Sequence, residues 1–218
     1  LTFDLSPGWN MVSLPLDLAD KSVGTIFPAK IGDVYWWDPG SGSYVTVDSL
    51  EPGRGYWVLY GADTSHTYTG PPVENWTVGL GGGWNMVGSV HSDSIVDFSA
   101  AGFSPDLYLA SNFFEYTGSG YSAASGFSAG TGYWVLVTGD CDMTLEPGAR
   151  RRNAPGINGA RLDIGGTELL LARGEESMGR IPPPAPGDAP TSAYLREKGN
   201  NCLTVVKPEV TWELGDGA

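Results

Sequence analysis

Positive charge is scarce in this sequence. The 218 residues include 12 Lys and Arg against 25 Asp and Glu, which gives a formal net charge of −13. An excess of negative charge repels phosphate backbones, so the composition argues against nucleic acid as a partner. Long apolar runs are missing too: no stretch of 18 apolar residues occurs, so we expect no transmembrane segment.

Cysteine and histidine are equally rare. The chain has Cys141 and Cys202, and its two histidines are His66 and His91. None of them follows a metal-binding spacing. Two interpretations of the cysteines stay open: two buried free thiols, or one disulfide that ties the last segment to the preceding module in an oxidising location. We expect the histidines to be solvated surface residues rather than general bases or metal ligands.

Glycine, proline and large aromatic residues are abundant instead. The 32 Gly, 16 Pro, 8 Trp and 10 Tyr indicate many turns joining short aromatic strands, and so an all-β fold. Leu1 stands where a starting Met is expected, and the first residues have neither a basic region nor a continuous apolar run. We therefore expect no signal peptide here and interpret the chain as a mature or excised part of something longer.

Two motifs occur twice. Gly-Trp-Asn-Met-Val stands at 8–12 and again at 83–87, an offset of 75 residues, and Gly-x-Gly-Tyr-Trp-Val-Leu stands at 53–59 and again at 130–136, an offset of 77. Between them size, aromaticity and charge sign are kept while identities drift, as a shared core requires. The pattern predicts an internal duplication into homologous β-rich modules at 1–72 and 73–148, each a small barrel or sandwich with one short helix.

Alternation and turn residues give a coarse secondary structure. In the first module we expect strands over 8–14, 34–37, 43–47, 55–60 and 65–69, and one helix over 20–27. Along 55–60 neighbouring side chains face opposite ways, so Tyr56 and Val58 share one face and Trp57 and Leu59 the other. Both faces are large and apolar, which predicts a strand covered on both sides with Trp57 and its counterpart Trp134 in the core.

The remaining segment, 149–218, has a different pattern. Strands are expected over 160–164, 167–172, 193–196, 202–206 and 210–214. The proline-rich stretch 181–187 cannot lie inside a sheet, because proline donates no ladder hydrogen bond, and it predicts an extended crossing. The segment indicates part of a β-sandwich, with truncation left open.

No motif amounts to an active site. Residues 126–130 match Gly-x-Ser-x-Gly around Ser128, but that chemistry needs a helix after the serine, and a strand is expected here. Four carboxylates flank loops and are weak calcium candidates: Asp93, Asp97, Asp140 and Asp142. Calcium takes six to eight oxygens, and neither pair supplies a full set, so we expect no metal or other cofactor and no enzyme activity.

Three tryptophans are candidates for ligand binding. Trp36 and Trp37 are adjacent on a strand next to a hairpin turn, so one of them faces away from the other, and Trp76 precedes the second module's opening motif. An exposed indole at such a place can stack on a sugar ring or on a partner protein.

The repeated motifs, with the hairpin of residues 35–44 and the turn and strand of 50–58, resemble modules near the C-terminal ends of large secreted or surface-attached bacterial proteins. Such modules often precede an immunoglobulin-like or secretion-sorting domain. The second copy departs from the pattern, since Asp38-Pro39-Gly40 becomes Glu115-Tyr116-Thr117. The resemblance implies an extracellular or cell-surface location and brings no catalytic residues.

The leading hypothesis is therefore a non-catalytic structural or interaction module that holds a neighbouring domain, subunit or polymer at a bacterial surface. Three alternatives remain: a carbohydrate-binding module that recognises polysaccharide, an accessory domain of a larger secreted enzyme, and a subunit that self-assembles into a fibre or surface layer through its edge strands.

Overall fold

The all-β prediction is confirmed by a computed structural model of the chain. It describes residues 1–92, 95–105 and 108–147 in full and, further on, three single residues (183, 185 and 186) and the backbone of five strands. The chain divides into two compact units, Leu1–Pro155 and Gly156–Ala218. The first unit contains both copies of the repeated motifs; its residues 1–72 are called half one and its residues 73–147 half two.

Half one consists of six strands and one short helix. The helix α1, Val23–Ile26, starts after Ser22 and lies inside the predicted range. Its strands are β1 Thr2–Leu5, β2 Gly8–Ser13, β3 Ile31–Asp38, β4 Ser43–Val47, β5 Gly55–Tyr60 and β6 Thr64–Thr67. β4 and β5 have the predicted bounds. β1 was not predicted, although its buried Phe3 and Leu5 alternate with exposed residues.

Half two repeats this plan with one addition. Its strands are β7 Trp76–Leu80, β8 Gly83–Val87, β9 Ala101–Ser104, β10 Phe114–Tyr116, β11 Tyr121–Ala123, β12 Tyr133–Val137 and β13 Cys141–Leu145. At the place of α1 it has a 3₁₀ turn, Phe98–Ala100, rather than an α-helix. β9 has no counterpart among the strands of half one and pairs with β13.

The sheets of the two halves share one strand order. Half one has an antiparallel sheet β2-β5-β3-β4, and half two has β8-β12-β10-β11. A second, smaller sheet pairs β1 with β6 in half one and β7 with β13 in half two. Each half is therefore a pair of small antiparallel sheets, as the duplication predicts.

Each half has its own hydrophobic core. In half one the inner face of β5 contributes Tyr56, Val58 and Tyr60 to this core, and in half two β12 contributes Tyr133 and Val135. The alternate residues Trp57 and Trp134 are also fully buried but belong to neither core. These strands are covered on both faces, as predicted, and the second face is covered by the other half.

Reciprocal hydrogen bonds join the halves. The backbone N–H of Ser13 donates to the carbonyl of Gly130 at 2.8 Å, and the N–H of Gly88 donates to the carbonyl of Gly53 at 2.9 Å. The repeat offsets place Gly88 at the position of Ser13 and Gly130 at that of Gly53. The same surface of each half therefore contacts the other, as in a two-fold symmetric dimer interface.

The second glycine of each Gly-x-Gly-Tyr-Trp motif allows this approach. A Cβ on Gly55 would lie 2.8 Å from the carbonyl oxygen of Val87, and a Cβ on Gly132 would lie 2.7 Å from that of Val12. Any side chain would push the backbones apart, because neither carbonyl can move without breaking its sheet. The repeated glycines are thus explained by the contact between the halves.

A layer of aromatic rings fills the space between the two four-stranded sheets. Trp57 and Trp134 lie at its centre, each with rings of both halves around it. The contacts across the halves have ring centroids 4.8–6.5 Å apart: Trp57 with Tyr116 and Tyr121, and Trp134 with Trp37 and Tyr44. All are edge-to-face, the arrangement that the ring quadrupole favours.

The second unit contains two further sheets. Their strands are β14 Gly159–Ile164, β15 Thr167–Ala172, β16 Tyr194–Lys198, β17 Cys202–Val206 and β18 Thr211–Leu214. They pair antiparallel in the orders β14-β15 and β16-β17-β18, within a residue or two of the predicted bounds. The predicted crossing at 181–187 lies largely outside the described residues.

Candidate functional site

A groove of about 410 Å³ lies where half one and half two meet. One wall is the segment from β1 through the turn into β2, residues 2–12. The other wall is the β10–β11 hairpin tip at 115–118 together with residues 129–131. Because the hydrogen bonds between the halves fix both walls, the groove is a preformed feature of the fold.

Two aromatic residues line the groove from opposite walls. Trp9 of β2 and Tyr116 of β10 are both partly exposed. Both rings contact the buried Trp57, at centroid distances of 6.3 and 4.8 Å. The indole N–H of Trp57 donates to the Tyr44 hydroxyl at 3.1 Å. Trp57 thus supports both groove aromatics from beneath and is itself held in place by a hydrogen bond.

The polar lining consists of carboxylates, hydroxyls and an amide. Asp4 accepts a hydrogen bond from the Ser65 hydroxyl at 2.8 Å, and Glu115 lies on the facing wall. The Asn10 amide donates to the carbonyl of Ser6 at 2.8 Å and accepts from its N–H at 3.0 Å, which shapes the β1–β2 turn. Among the described residues, those that line the groove include no Lys, Arg or His. The groove is therefore acidic and rich in hydrogen-bond acceptors.

The equivalent place on the other side of the pseudo-symmetric unit differs. There Pro39 takes the position of Tyr116, and Gly81 takes that of Ser6. Pro39 packs onto the backbone of Gly81, where an added Cβ would lie only 3.0 Å from its ring. The two halves have the same strand order, yet one side of the unit has an open groove and the other a proline contact.

The predicted ligand-binding tryptophans lie elsewhere. Trp37 is half-buried between Tyr44 and Trp134, with centroids 5.0 and 5.7 Å away. Trp36 points to the opposite side of β3, where the guanidinium of Arg54 lies 4.5 Å from its ring centre. Trp76 is buried, with an exposed fraction of 7%, and it donates its indole N–H to a backbone carbonyl. None of the three lines the groove.

Two of the four calcium candidates, Asp97 and Asp140, accept hydrogen bonds from nearby backbone N–H groups. Asp97 caps the 3₁₀ turn by accepting from the N–H of Ser99 at 2.7 Å, and this hydrogen bond lowers the pKa of its carboxyl. Asp140 accepts from the N–H of Gly82 at 2.9 Å. Asp142 is exposed on β13, and Asp93 lies outside the described residues. No group of three or more His, Cys, Asp or Glu in the described part of the chain is placed to hold a metal ion.

The residues considered for catalysis have structural surroundings. The N–H of Ser128 donates to the hydroxyl of Tyr133 at 2.7 Å, as the N–H of Glu51 does to Tyr56 in half one. Ser128 precedes a strand, so the helix that a nucleophile elbow requires does not follow it. The ring of His66 is hydrogen-bonded with the Tyr60 hydroxyl at 3.2 Å.

Cys141 is a buried free thiol in β13. Burial, with the charges of Asp142 and Asp140 nearby, raises the pKa of this thiol. It is therefore held in its protonated, weakly nucleophilic form. The side chain of Cys202 lies outside the described residues, and the proposed disulfide between the two finds no support.

No protein-family model, curated protein or solved structure matches this chain. No helix among the described residues is long and apolar enough to cross a membrane. The resemblance to modules of secreted bacterial proteins therefore remains an expectation from the motifs.

The groove residues were not predicted to form a site from the sequence. One signal was available: the change of Asp38-Pro39-Gly40 into Glu115-Tyr116-Thr117 is the clearest departure between the copies, and it lies at the groove. The opposite wall could not be inferred, because nothing in the sequence shows that the β1–β2 turn of half one faces this hairpin tip.

Proposed function

We propose that the first unit is a non-catalytic interaction module of a secreted or surface-attached bacterial protein, and that the groove between its halves holds the partner. The observation that carries this proposal is the broken symmetry at the groove. On one side of the unit Pro39 packs directly against Gly81, which shows that the fold can fill this place without a groove. Tyr116 and Ser6, at the equivalent positions, leave an open acidic groove instead.

The rigidity of the groove supports this role. Its walls belong to different halves, which are joined by backbone hydrogen bonds at 2.8 and 2.9 Å and by the aromatic layer. A partner that enters such a groove loses its own freedom but orders little of the protein. Preorganisation of this kind raises affinity by reducing the entropy cost of binding.

Charge restricts the class of partner. The chain carries a net charge of −13, and the described residues that line the groove include the acidic Asp4 and Glu115 and no basic residue. Nucleic acids and other polyanions are repelled from such a surface. The groove is therefore suited to ligands that carry neutral polar groups or positive charge.

Retention on bacterial cells tests the proposal. Ser6→Trp keeps the backbone bonds of Ser6 to Asn10 and adds a large ring to the groove. Ser125→Trp is the matched control, because Ser125 is an exposed serine that does not line the groove. We expect cells to retain the wild type and the Ser125→Trp variant, and retention to be lost with Ser6→Trp.

Equal retention of both tryptophan variants would contradict the assignment of the groove. If the chain self-associates instead, light scattering at high concentration would show oligomers that Ser6→Trp leaves intact. If it is an accessory part of an enzyme, the gene sequence preceding Leu1 would encode the catalytic domain.

A further inference from the structure

We propose that the groove binds a neutral saccharide, with Trp9 and Tyr116 contacting the sugar ring and Asp4 and Glu115 accepting hydrogen bonds from its hydroxyls. This inference rests on the proposed function, because it names the ligand class of the same groove.

The aromatic pair supplies the apolar contact. The faces of a pyranose ring carry C–H groups that pack on aromatic side chains, while Trp and Tyr offer large contact areas at a small cost in side-chain freedom. Trp9 and Tyr116 are partly exposed and stand on opposite walls, and Trp57 contacts both from the buried layer. Trp57 is thus a positioning residue for the two rings.

The polar groups supply acceptors for hydroxyls. An ionised carboxylate has about four lone-pair positions. Asp4 uses one of its oxygens for the Ser65 hydroxyl at 2.8 Å, and one Glu115 oxygen lies 3.5 Å from the Ser122 hydroxyl. Both carboxylates are therefore oriented by serines and keep capacity for further donors. Hydrogen bonds to charged acceptors are the stronger ones, which suits the recognition of vicinal hydroxyls.

The comparison with the closed side favours a sugar over a purely cationic ligand. At the hairpin tip the acidic residue is kept, as Asp38 for Glu115. The ring of Tyr116 and the hydroxyl of Thr117 are the groups that Pro39 and Gly40 replace. On the other wall the open side gains a hydroxyl at Ser6 and a carboxylate at Asp4, in place of two glycines. The groove-specific groups are thus a ring, two hydroxyls and one acid, a mixture that matches a polyhydroxylated ligand.

The lining also disfavours negatively charged sugars. Uronates and phosphorylated sugars need a basic partner, and no Lys, Arg or His lines the groove in the part of the chain that the structure describes. A negative ligand beside Asp4 and Glu115 would be repelled by both. The ligand class is therefore neutral hexose or N-acetylhexosamine oligomers.

Isothermal titration and tryptophan fluorescence with defined probes test the inference. The saccharide probes are cellohexaose, chitohexaose and mannohexaose, and tetralysine is the cationic alternative. We expect at least one saccharide to bind and to shift the emission. Tyr116→Ala and Glu115→Gln should each weaken its binding about tenfold or more, the effect of losing one good contact or charged hydrogen bond. Asp142→Asn, which removes an exposed carboxylate outside the groove, should bind as the wild type does.

Three results would overturn the inference: no saccharide in the panel binds, only tetralysine binds, or a saccharide binds with unchanged affinity to Glu115→Gln. Glu115→Gln is nearly isosteric, so it keeps the test valid where Tyr116→Ala fails to fold. If Ser6→Trp abolishes cell retention but the wild type binds no saccharide, the proposed function is supported and the saccharide is ruled out as its ligand. Unchanged retention in Ser6→Trp would remove both.

Discussion

Half one and half two share their strand order but differ in how they use equivalent positions. Trp57 donates its indole N–H to Tyr44, whereas the indole N–H of Trp134 is buried without a hydrogen-bond partner. The hairpin tip of half one packs Pro39 against Gly81, whereas the equivalent tip of half two carries Tyr116 and lines the open groove. The glycines at the close backbone contact are the same in both halves, as Gly55 and Gly132, whereas the side chains at the groove differ between them.

The two cores show how far this divergence goes. Half two concentrates aromatic rings, with Phe113 and Phe127 at centroids 4.8 Å apart and Phe98 stacked on Phe113 at 4.7 Å. Half one has Leu50 at the position of Phe127 and Val23 at that of Phe98. The sizes of individual core side chains differ between the halves while the strand order is the same. Packed cores tolerate such substitutions when they stay apolar and of similar total volume.

Truncating the central tryptophans should have the largest effect. Trp57 and Trp134 are fully buried in the layer between the sheets. We expect Trp57→Ala and Trp134→Ala each to lower the free energy of unfolding by about 3–5 kcal/mol, as for a buried aromatic. Urea unfolding of both variants measures this. A wild-type midpoint in either would show that its half does not depend on the layer.

Adding a methyl group at the contact between backbones should come next. Gly55→Ala and Gly132→Ala bring a Cβ within 2.8 and 2.7 Å of a carbonyl oxygen of the other half. Overpacking of this kind costs about 1–3 kcal/mol. The two variants should lose similar amounts, because the contacts are reciprocal. Gly120→Ala, where the added Cβ has nothing within 4 Å, is the control. A marked inequality between the two would break the equivalence of the halves.

The indole asymmetry gives a smaller difference. Trp57→Phe removes a hydrogen bond to Tyr44, whereas Trp134→Phe removes a buried donor that has no partner. Leaving a buried polar group unpaired is costly, so its removal offsets part of the lost packing. We expect Trp57→Phe to be less stable than Trp134→Phe by about 1–2 kcal/mol. Chemical denaturation of the pair tests it, and the opposite order would contradict the hydrogen-bond assignment.

The smallest expected effect is the loss of folding stability at alkaline pH. Burial is the main cause that raises the pKa of Tyr56 from 10.0 to about 12, and burial likewise raises the pKa of Tyr133. The unfolded chain then releases these protons first. Stability is therefore full below about pH 10 and falls as the pH rises toward 12. Tyr56→Phe should flatten this fall while lowering stability at neutral pH, because the N–H of Glu51 loses its acceptor. Thermal melts between pH 8 and 12 measure both effects, and an unchanged slope would show that Tyr56 titrates as an exposed phenol.

Much of the fold could be predicted from the sequence. The two repeated motifs located both copies of the central strands, and turn residues bounded β4 and β5 to the residue. The alternation along β5 predicted burial of Trp57 on a second face. β1 was not predicted, although the alternation of Phe3 and Leu5 with polar residues was a usable signal.

The groove could not be predicted, because it depends on how the halves pack. A strand pattern states which residues share a face, but not which turn of half one meets which hairpin of half two. Trp36 and Trp37 were candidates because they stand beside a hairpin turn; both are partly exposed, and each packs against a neighbour, Arg54 for Trp36 and Trp134 for Trp37. The sequence signal at the groove was a difference between the copies, Asp38-Pro39-Gly40 against Glu115-Tyr116-Thr117, whereas the repeated motifs show only what the copies share.

Native-state hydrogen exchange at the amides of Ser13 and Gly88 tests the central claim most directly. These N–H groups donate to carbonyls of the opposite half at 2.8 and 2.9 Å. If the halves form one interlocked unit, both amides exchange only through global unfolding, with the same free energy as the amides of the central strands β5 and β12. Exchange of either amide through a lower-energy opening, while β5 and β12 stay protected, would show that the halves separate first and would contradict the account.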